Sequence, residues 1–240
     1  MLPISDDNRG RKIQPIVTWA LIAINVVVYV YQATLNETDL LAFLNDWAVV
    51  PAEISAGQAY FTVITSAFLH GSWFHLGSNM LFLWIFGDNV EDVMGHVKYL
   101  AFYLLTAVGA SAAQILVDTD SRVPMVGASG AISGLLAAYI VMFPHGKIRT
   151  LIIFGIFISM QMIPAWIMIG YWIFLQVISG VGSLSTIGDQ QGGVAFFAHI
   201  GGFVAGLALV WFFRDKRRQD RQNAARQGHV PEQRWGLGGR

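Results

Sequence analysis

Six long apolar runs dominate this chain of 240 residues. Each approaches or exceeds the roughly 20 residues that a helix needs to cross the hydrocarbon core of a bilayer. With 55% hydrophobic and only 12% charged residues, the composition excludes an ordinary soluble domain. We therefore predict an all-α polytopic membrane protein with six transmembrane helices in a single domain over 16–213. The predicted spans lie at about 16–34, 68–86, 98–117, 127–143, 150–179 and 194–213.

The basic residues are distributed very unevenly between the predicted loops. If the N-terminus is cytoplasmic, Arg122 is the only one of the 15 Lys and Arg residues that falls on the outer side. Cytoplasmic loops of membrane proteins carry the excess of Lys and Arg, so both termini are predicted to be cytoplasmic. The first run is too long and too early for a cleaved signal peptide, and we expect it to be a retained helix.

The segments outside the spans differ in character. Residues 1–15 and 214–240 are polar, and we expect solvated tails that help to fix the topology. For the second tail, binding to anionic lipid is the alternative. The connection at 35–60 is amphipathic but too short to span, which predicts an outer segment lying in the interface. The Gly- and Ser-rich stretch 180–193 predicts a mobile outer loop.

The fifth run, 150–179, is unusually long for one span. Gly155, Pro164 and Gly170 lie inside it. Two interpretations remain open: a tilted or kinked helix, or an interfacial piece followed by a span.

A few polar residues stand out within the spans. Ser129 lies between glycines in "GASG", His75 and Asn79 are four residues apart on one face of span two, and His199 lies in span six. Taken singly, each is more often a packed, hydrogen-bonded structural residue. However, Ser129, His75 and His199 each lie 13–15 residues before the predicted cytoplasmic end of their span. At 1.5 Å per residue, all three are about 20–22 Å above the inner surface.

Small residues suggest that two of these spans pack closely. Gly130 and Gly134 form a G-x-x-x-G pair in span four, and Gly202 and Gly206 form another in span six. Glycines at this spacing let helix backbones approach each other. Each pair begins within one turn of Ser129 or His199, so contact between the two faces would bring hydroxyl and imidazole within reach.

This arrangement predicts nucleophilic catalysis. A serine hydroxyl becomes a good nucleophile when a base takes its proton, and His199 is the available base. No Asp or Glu lies at the same depth, which predicts a dyad. The oxyanion needs hydrogen-bond donors, and the candidates are the Ser129 amide, the His75 ring and the Asn79 amide. Span four is short, so we expect its start at Gly127 to be recessed below the outer surface.

The chain resembles the rhomboid family of intramembrane serine proteases over about residues 16–213. The resemblance rests on G-A-S-G at 127–130, A-H-I-G-G-F-V-A-G at 198–206 and H-G-S-W-F-H-L-G-S-N at 70–79. It implies that Ser129 is the nucleophile, His199 the general base, and His75 and Asn79 oxyanion donors. It also implies that Glu91 supports the fold from the cytoplasmic side.

Two positions depart from patterns found in some members of the family. Where those members carry Trp-Arg in the first outer loop, this chain has Phe61-Thr62. Where some carry an aromatic residue one turn after the serine, against which the base packs, this chain has Ser133.

The implied function is an intramembrane serine endopeptidase that cleaves transmembrane segments of membrane proteins near their outer end. A catalytically silent relative that binds membrane clients is the alternative, and a transporter or channel with histidine sites is a third class. We expect transmembrane substrates and the lipid bilayer as partners, with no nucleic acid, cofactor or metal. The compact six-span plan leads us to expect the plasma membrane of a prokaryote.

Overall fold

The structure, a computed structural model, describes residues 2–155, 157–184 and 194–228. Helices dominate it, with one small sheet and a short 3₁₀ turn at Ser66–Phe68. The strands are β1 (Leu2–Ser5), β2 (Lys147–Phe154) and β3 (Phe157–Pro164). The helices are α1 (Ile16–Thr34), α2 (Glu37–Trp47), α3 (Pro51–Ser55), α4 (Thr62–Thr65), α5 (Trp73–Met94), α6 (His96–Val117), α7 (Ser129–Met142), α8 (Ala165–Ser183), α9 (Phe196–Phe213) and α10 (Lys216–Arg226).

Four of the described helices, α1, α6, α8 and α9, are long and apolar enough to cross a membrane. Helix α7 is apolar but has only 14 residues, so it is about 21 Å long, shorter than a bilayer core. Helix α5 has 22 residues and ends in an acidic turn with Glu91. The chain is an integral multi-pass membrane protein. Each of the six predicted spans overlaps one of these helices, and the number of six spans stays a prediction.

The prediction of an all-α fold is wrong at the start of the fifth apolar run. Residues 147–164 form an antiparallel hairpin of β2 and β3, turned at Gly155 with φ of +59°, and α8 begins only at Ala165. The physical reason is local, since residues 147–154 are rich in β-branched side chains and are followed by a turn-forming glycine. The helix of the fifth predicted span is therefore α8, which covers Ala165–Ser183 instead of 150–179.

The described residues of both predicted tails form secondary structure that contacts the bundle. Strand β1 pairs antiparallel with β2, with Leu2 opposite Leu151. Helix α10 packs under the bundle with Gln219 and Gln222 buried. The N-terminal segment contacts α10, where the Arg9 side chain donates a hydrogen bond to the carbonyl oxygen of Arg226 at 2.8 Å. We call the side of the bundle formed by β1, the hairpin and α10 the terminal side; residues 229–240 lie outside the described ranges.

Buried acidic residues hold this terminal side together. Asp6 accepts hydrogen bonds from the Tyr139 hydroxyl at 2.8 Å and from Asn89 at 2.6 Å. Its side chain is 2% exposed, and Arg226 lies 3.9 Å away. Burial raises the pKa of Asp6 to about 6. The N-terminal segment is thus fixed to the bundle by polar contacts in a dry environment.

Glu91 lies at the junction between this side and the membrane helices. Its carboxylate accepts hydrogen bonds from the backbone N–H groups of Val17 and Thr18, at 2.9 and 2.8 Å, and from the Thr18 hydroxyl at 2.7 Å. The Nδ1 atom of His96 lies 2.6 Å from Oε1, the oxygen that also accepts from the Val17 N–H. Glu91 therefore satisfies free amides in the first turn of α1 from the end of α5.

The first connection contains two short helices in place of one interfacial segment. Helix α2 is capped by Asn36, which accepts from the Asp39 N–H at 3.0 Å, and no residue of α2 is buried. Leu41 and Trp47 are 57% and 43% exposed. This apolar exposure agrees with a segment lying at a lipid interface. Of the loop predicted at 180–193, residues 180–183 belong to α8 and 185–193 lie outside the described ranges.

Candidate active site

Ser129 is the first residue of α7, and the chain before it is held by neighbouring loops. Met125 and Val49 exchange backbone hydrogen bonds of 2.7 and 3.2 Å, and the N–H of Gly127 donates to the Ser66 carbonyl at 2.9 Å. Gly127 has φ of +129°, a region that side-chain-bearing residues rarely adopt. Irregular backbone next to a short membrane helix is thereby satisfied by protein groups.

His199 reaches Ser129 from the first turn of α9. Its Nε2 atom lies 2.7 Å from the Ser129 Oγ atom, although 70 residues separate them in the sequence. The start of α9 is held by α6, because Gln114 Oε1 accepts from the Ala198 N–H at 3.2 Å. The structure thus brings together the two residues that the sequence paired by depth, at hydrogen-bond distance.

The glycine pairs explain how α7 and α9 come so close. A Cβ atom on Gly206 would lie 2.5 Å from the carbonyl oxygen of Gly134, and one on Gly202 would overlap the carbonyl of Gly130. The α9 glycines therefore face the backbone of α7. The α7 glycines face α6 instead, because a Cβ atom on Gly134 would meet Thr106 at 2.5 Å. The two pairs do not interdigitate face to face; three helices share the close contact.

His75, in the first turn of α5, borders the serine. Its Nδ1 atom accepts weakly from the Gly71 N–H at 3.4 Å, which leaves the hydrogen of a neutral ring on Nε2. That Nε2 atom lies beside Gly127, since a Cβ atom there would be 2.8 Å from it and 3.6 Å from Ser129 Oγ. Glycine at this position gives the histidine ring access to the serine.

Asn79 lies one turn further along α5 and is 6% exposed. Among the described residues, its Nδ2 atom has no hydrogen-bond partner although it is buried. An unpaired buried amide is costly and is uncommon in folded proteins. Asn79 therefore offers a free donor to a group entering the site.

These four side chains line one cavity of about 830 Å³. Its polar lining includes these four side chains, and its apolar lining includes Phe74, Phe197 and Trp172. A cavity of this size accommodates an extended segment of polypeptide several residues long.

Two contacts to His199 were missing from the sequence-based site. The Gln176 Oε1 atom lies 2.7 Å from His199 Nδ1, and the Trp172 ring packs on the imidazole with a centroid distance of 5.6 Å. Both residues come from α8. Ser133 lies where some family members carry an aromatic residue, and its hydroxyl donates to the Ser129 carbonyl at 2.6 Å. The spacing of Trp172 and Gln176, four residues apart, was the available signal.

Comparison with known proteins places this chain in a family. The model of the Rhomboid domain matches residues 57–216. The chain is 28% identical over 215 residues to Rhomboid protein 1, mitochondrial, of Saccharomyces cerevisiae, covering 86% of the chain and 57% of that protein. It is 33% identical over 156 residues to Rhomboid-like protein 11, chloroplastic, of Arabidopsis thaliana, covering 64% and 52%.

A human relative is also similar. The chain is 29% identical over 154 residues to Presenilin-associated rhomboid-like protein, mitochondrial, of Homo sapiens, covering 62% of the chain and 37% of the relative. The chain thus spans roughly half or less of the length of these relatives.

Proposed function

Because this chain belongs to the rhomboid family, we propose that it is an intramembrane serine endopeptidase that uses a dyad of Ser129 and His199. The observation that carries the proposal is the 2.7 Å distance between Ser129 Oγ and His199 Nε2 beside a large cavity. A serine packed only for structure would not need an imidazole nitrogen in line with its hydroxyl. The expected domain over 16–213 contains all of these residues.

The chemistry follows from the positions of the atoms. His199 Nε2 takes the proton of the Ser129 hydroxyl while Oγ attacks a substrate carbonyl carbon, and the carbonyl electrons move to the oxygen. When the C–N bond breaks, Nε2 returns its proton to the leaving amine. Water then attacks the acyl-serine in the same way, which releases the second product and restores the hydroxyl.

We assign three donors to the oxyanion. The Asn79 Nδ2 amide is buried without a partner among the described residues. The His75 Nε2 atom lies beside Gly127, close to Ser129. The Ser129 N–H belongs to the first turn of α7, whose N–H groups lack intrahelical acceptors. Donors that are fixed before the reaction stabilise the developing charge at little cost in reorganisation. Glu91 contributes indirectly by joining α5 to α1.

The proposed orientation has six spans and both termini in the cytoplasm. The contact between Arg9 and Arg226 supports termini on one side, as an even number of spans requires. The site then lies towards the outer half of the bilayer, so the cut falls near the outer end of a substrate's transmembrane segment. The expected plasma membrane of a prokaryote gains no support from the relatives, whose names place those proteins in mitochondria and chloroplasts.

The proposed substrates are transmembrane helices that unwind locally. An intact helix shields its carbonyls in the i to i−4 ladder, so an extended segment must enter the cavity. Unwinding is easier where Gly or Pro weakens the helix. The restricted space beside Gly127 and His75 favours a small residue just before the cut.

Labelling with a fluorophosphonate tests the proposal directly. The full chain in detergent micelles should be labelled at Ser129 and should cleave a model transmembrane substrate. The variants Ser129→Ala and His199→Ala should lose both properties while keeping wild-type thermal unfolding. A folded wild-type chain that is neither labelled nor active would instead support the alternative of a silent client-binding protein.

A further inference from the structure

Helix α8 contacts the proposed general base with two side chains one turn apart. The Gln176 Oε1 atom lies 2.7 Å from His199 Nδ1, and the Trp172 ring lies 5.6 Å from the imidazole, tilted by 42°. Both side chains are half-buried, and neither takes part in the chemistry derived above. Resting on the proposed function, we propose that Gln176 is a positioning residue that holds His199 in the catalytic tautomer, with Trp172 holding the plane of its ring.

The tautomer decides whether His199 acts as a base. Nε2 accepts the serine proton only if its lone pair faces Oγ, so in the neutral ring the hydrogen must be on Nδ1. An Nδ1–H in a low-dielectric site needs an acceptor, because an unpaired buried donor is costly. Gln176 Oε1 supplies that acceptor at 2.7 Å. Removal of the acceptor allows the hydrogen to move to Nε2, where it blocks transfer from Ser129.

The aromatic contact to the His199 ring comes from α8, because α7 supplies none. Ser133, one turn after the nucleophile, directs its hydroxyl to the Ser129 carbonyl and offers no aromatic surface. Trp172 packs on the imidazole from α8 instead. Orientation of the base therefore depends on the seating of α8 against α9, which also touch where Gly180 lies beside Ile200 and Phe196.

The acceptor is neutral, which distinguishes this site from a Ser-His-Asp arrangement. In the described part of the chain, the other titratable side chains that line the cavity are His75 and Asp118. The Nδ1 atom of His199 bonds to the Gln176 amide and not to either of them. A charged acceptor at the same place would stabilise the imidazolium that forms during the reaction.

Two substitutions of matched length separate the hydrogen bond from packing. Gln176→Met keeps the length of the side chain and removes the acceptor. Gln176→Glu keeps both the length and an acceptor oxygen and adds charge. Gln161→Met, at an exposed position of β3, is the control for the chemical change itself. The measurement is the rate of Ser129 labelling by a fluorophosphonate across pH 5–9 in the full chain, with thermal unfolding recorded for each variant.

We expect Gln176→Met to be labelled about 10–100-fold more slowly than wild type. The free-energy cost of leaving the Nδ1–H donor without an acceptor corresponds to a rate change of about this size. Gln176→Glu should be labelled within a few-fold of wild type, with the acid limb of its pH profile moved to higher pH. Gln161→Met should match wild type.

Labelling of folded Gln176→Met at the wild-type rate overturns the assignment of Gln176 while leaving the proposed function intact. If Gln176→Met does not fold, an unshifted acid limb for Gln176→Glu overturns it. A folded wild-type chain that is not labelled at all overturns both proposals.

Discussion

Gly202 of α9 lies directly against the carbonyl oxygen of Gly130 in α7, with no room for a Cβ atom between them. Gly130 follows the proposed nucleophile, and Gly202 lies three residues after the proposed base. The distance between the two helices at this point therefore sets the distance between the hydroxyl and the imidazole.

We expect Gly202→Ala to abolish most of the cleavage activity, because α9 must move away from α7 and carry His199 with it. Gly170→Ala is the matched control, since a Cβ atom on Gly170 meets nothing within 4 Å. Alanine at position 170 in α8 should leave the stability unchanged or raise it by up to about 1 kcal/mol. Substrate turnover and thermal unfolding of both variants are the measurements. Equal turnover in the two would contradict the close-contact argument.

Asn79→Ala should slow cleavage by about 10²–10³-fold without abolishing it, because one of several oxyanion donors is lost. The effect should be on kcat more than on KM, since the hydrogen bond forms mainly in the transition state. Removal of an unpaired buried amide should not lower the melting temperature. A loss as complete as that of Ser129→Ala would mean that Asn79 has another role.

Glu91→Ala should destabilise the fold by about 3 kcal/mol or more, because at least two amides and a hydroxyl at the start of α1 lose a charged acceptor. Glu37→Ala, an exposed acidic residue in the first turn of α2, is the control and should cost less than about 1 kcal/mol. Chemical or thermal unfolding in micelles measures both. Comparable losses for the two variants would argue against a supporting role for Glu91.

The proposed topology can be tested in a chain that has no cysteine of its own. Glu37→Cys on α2 should react with an impermeant thiol reagent in intact cells. Asp220→Cys, exposed on α10, should react only after the membrane is permeabilised. The opposite result at either site would contradict cytoplasmic termini.

Asp6 should make stability depend on pH. Its pKa is raised by burial from 3.8 to about 6, so the folded state binds its proton more tightly than the unfolded state. Its contribution is therefore complete below about pH 4 and is lost as the pH rises through 6. The stability of wild type relative to Asp6→Asn should fall by up to about 3 kcal/mol over this window. A difference that does not change with pH would refute the assignment.

Sequence patterns were most informative for features that depend on a single helix, such as the depth of a residue in the membrane. The depths of Ser129 and His199 in the membrane followed from helical rise and from the ends of two spans. In the structure, the Ser129 Oγ and His199 Nε2 atoms lie 2.7 Å apart. The glycine spacing indicated close packing, but the contribution of α6 to that packing depends on the arrangement of three helices.

Other features depended on contacts that are remote in the sequence. A short apolar run such as 151–154 suits a buried helix as well as a strand. Gly155 and the β-branched residues before it were the signal for a hairpin. Gln176 and Trp172 were missed because the fifth span was placed too early, so their position relative to His199 could not be derived. Leu2–Ser5 is too short to be recognised as a strand without its partner.

The pairing of Leu2 with Leu151 affects how the protein is made. A ribosome adding about 5–20 residues per second needs roughly 7–30 s between these two positions. Until then β1 has no partner strand. Arg226, which lies 3.9 Å from Asp6 in the structure, is made later still. During this time the edge of β1 is unpaired and Asp6 lacks its cationic neighbour. Pairing of β1 and closure of the terminal side are therefore late steps of folding during synthesis, although the residues of β1 are made first.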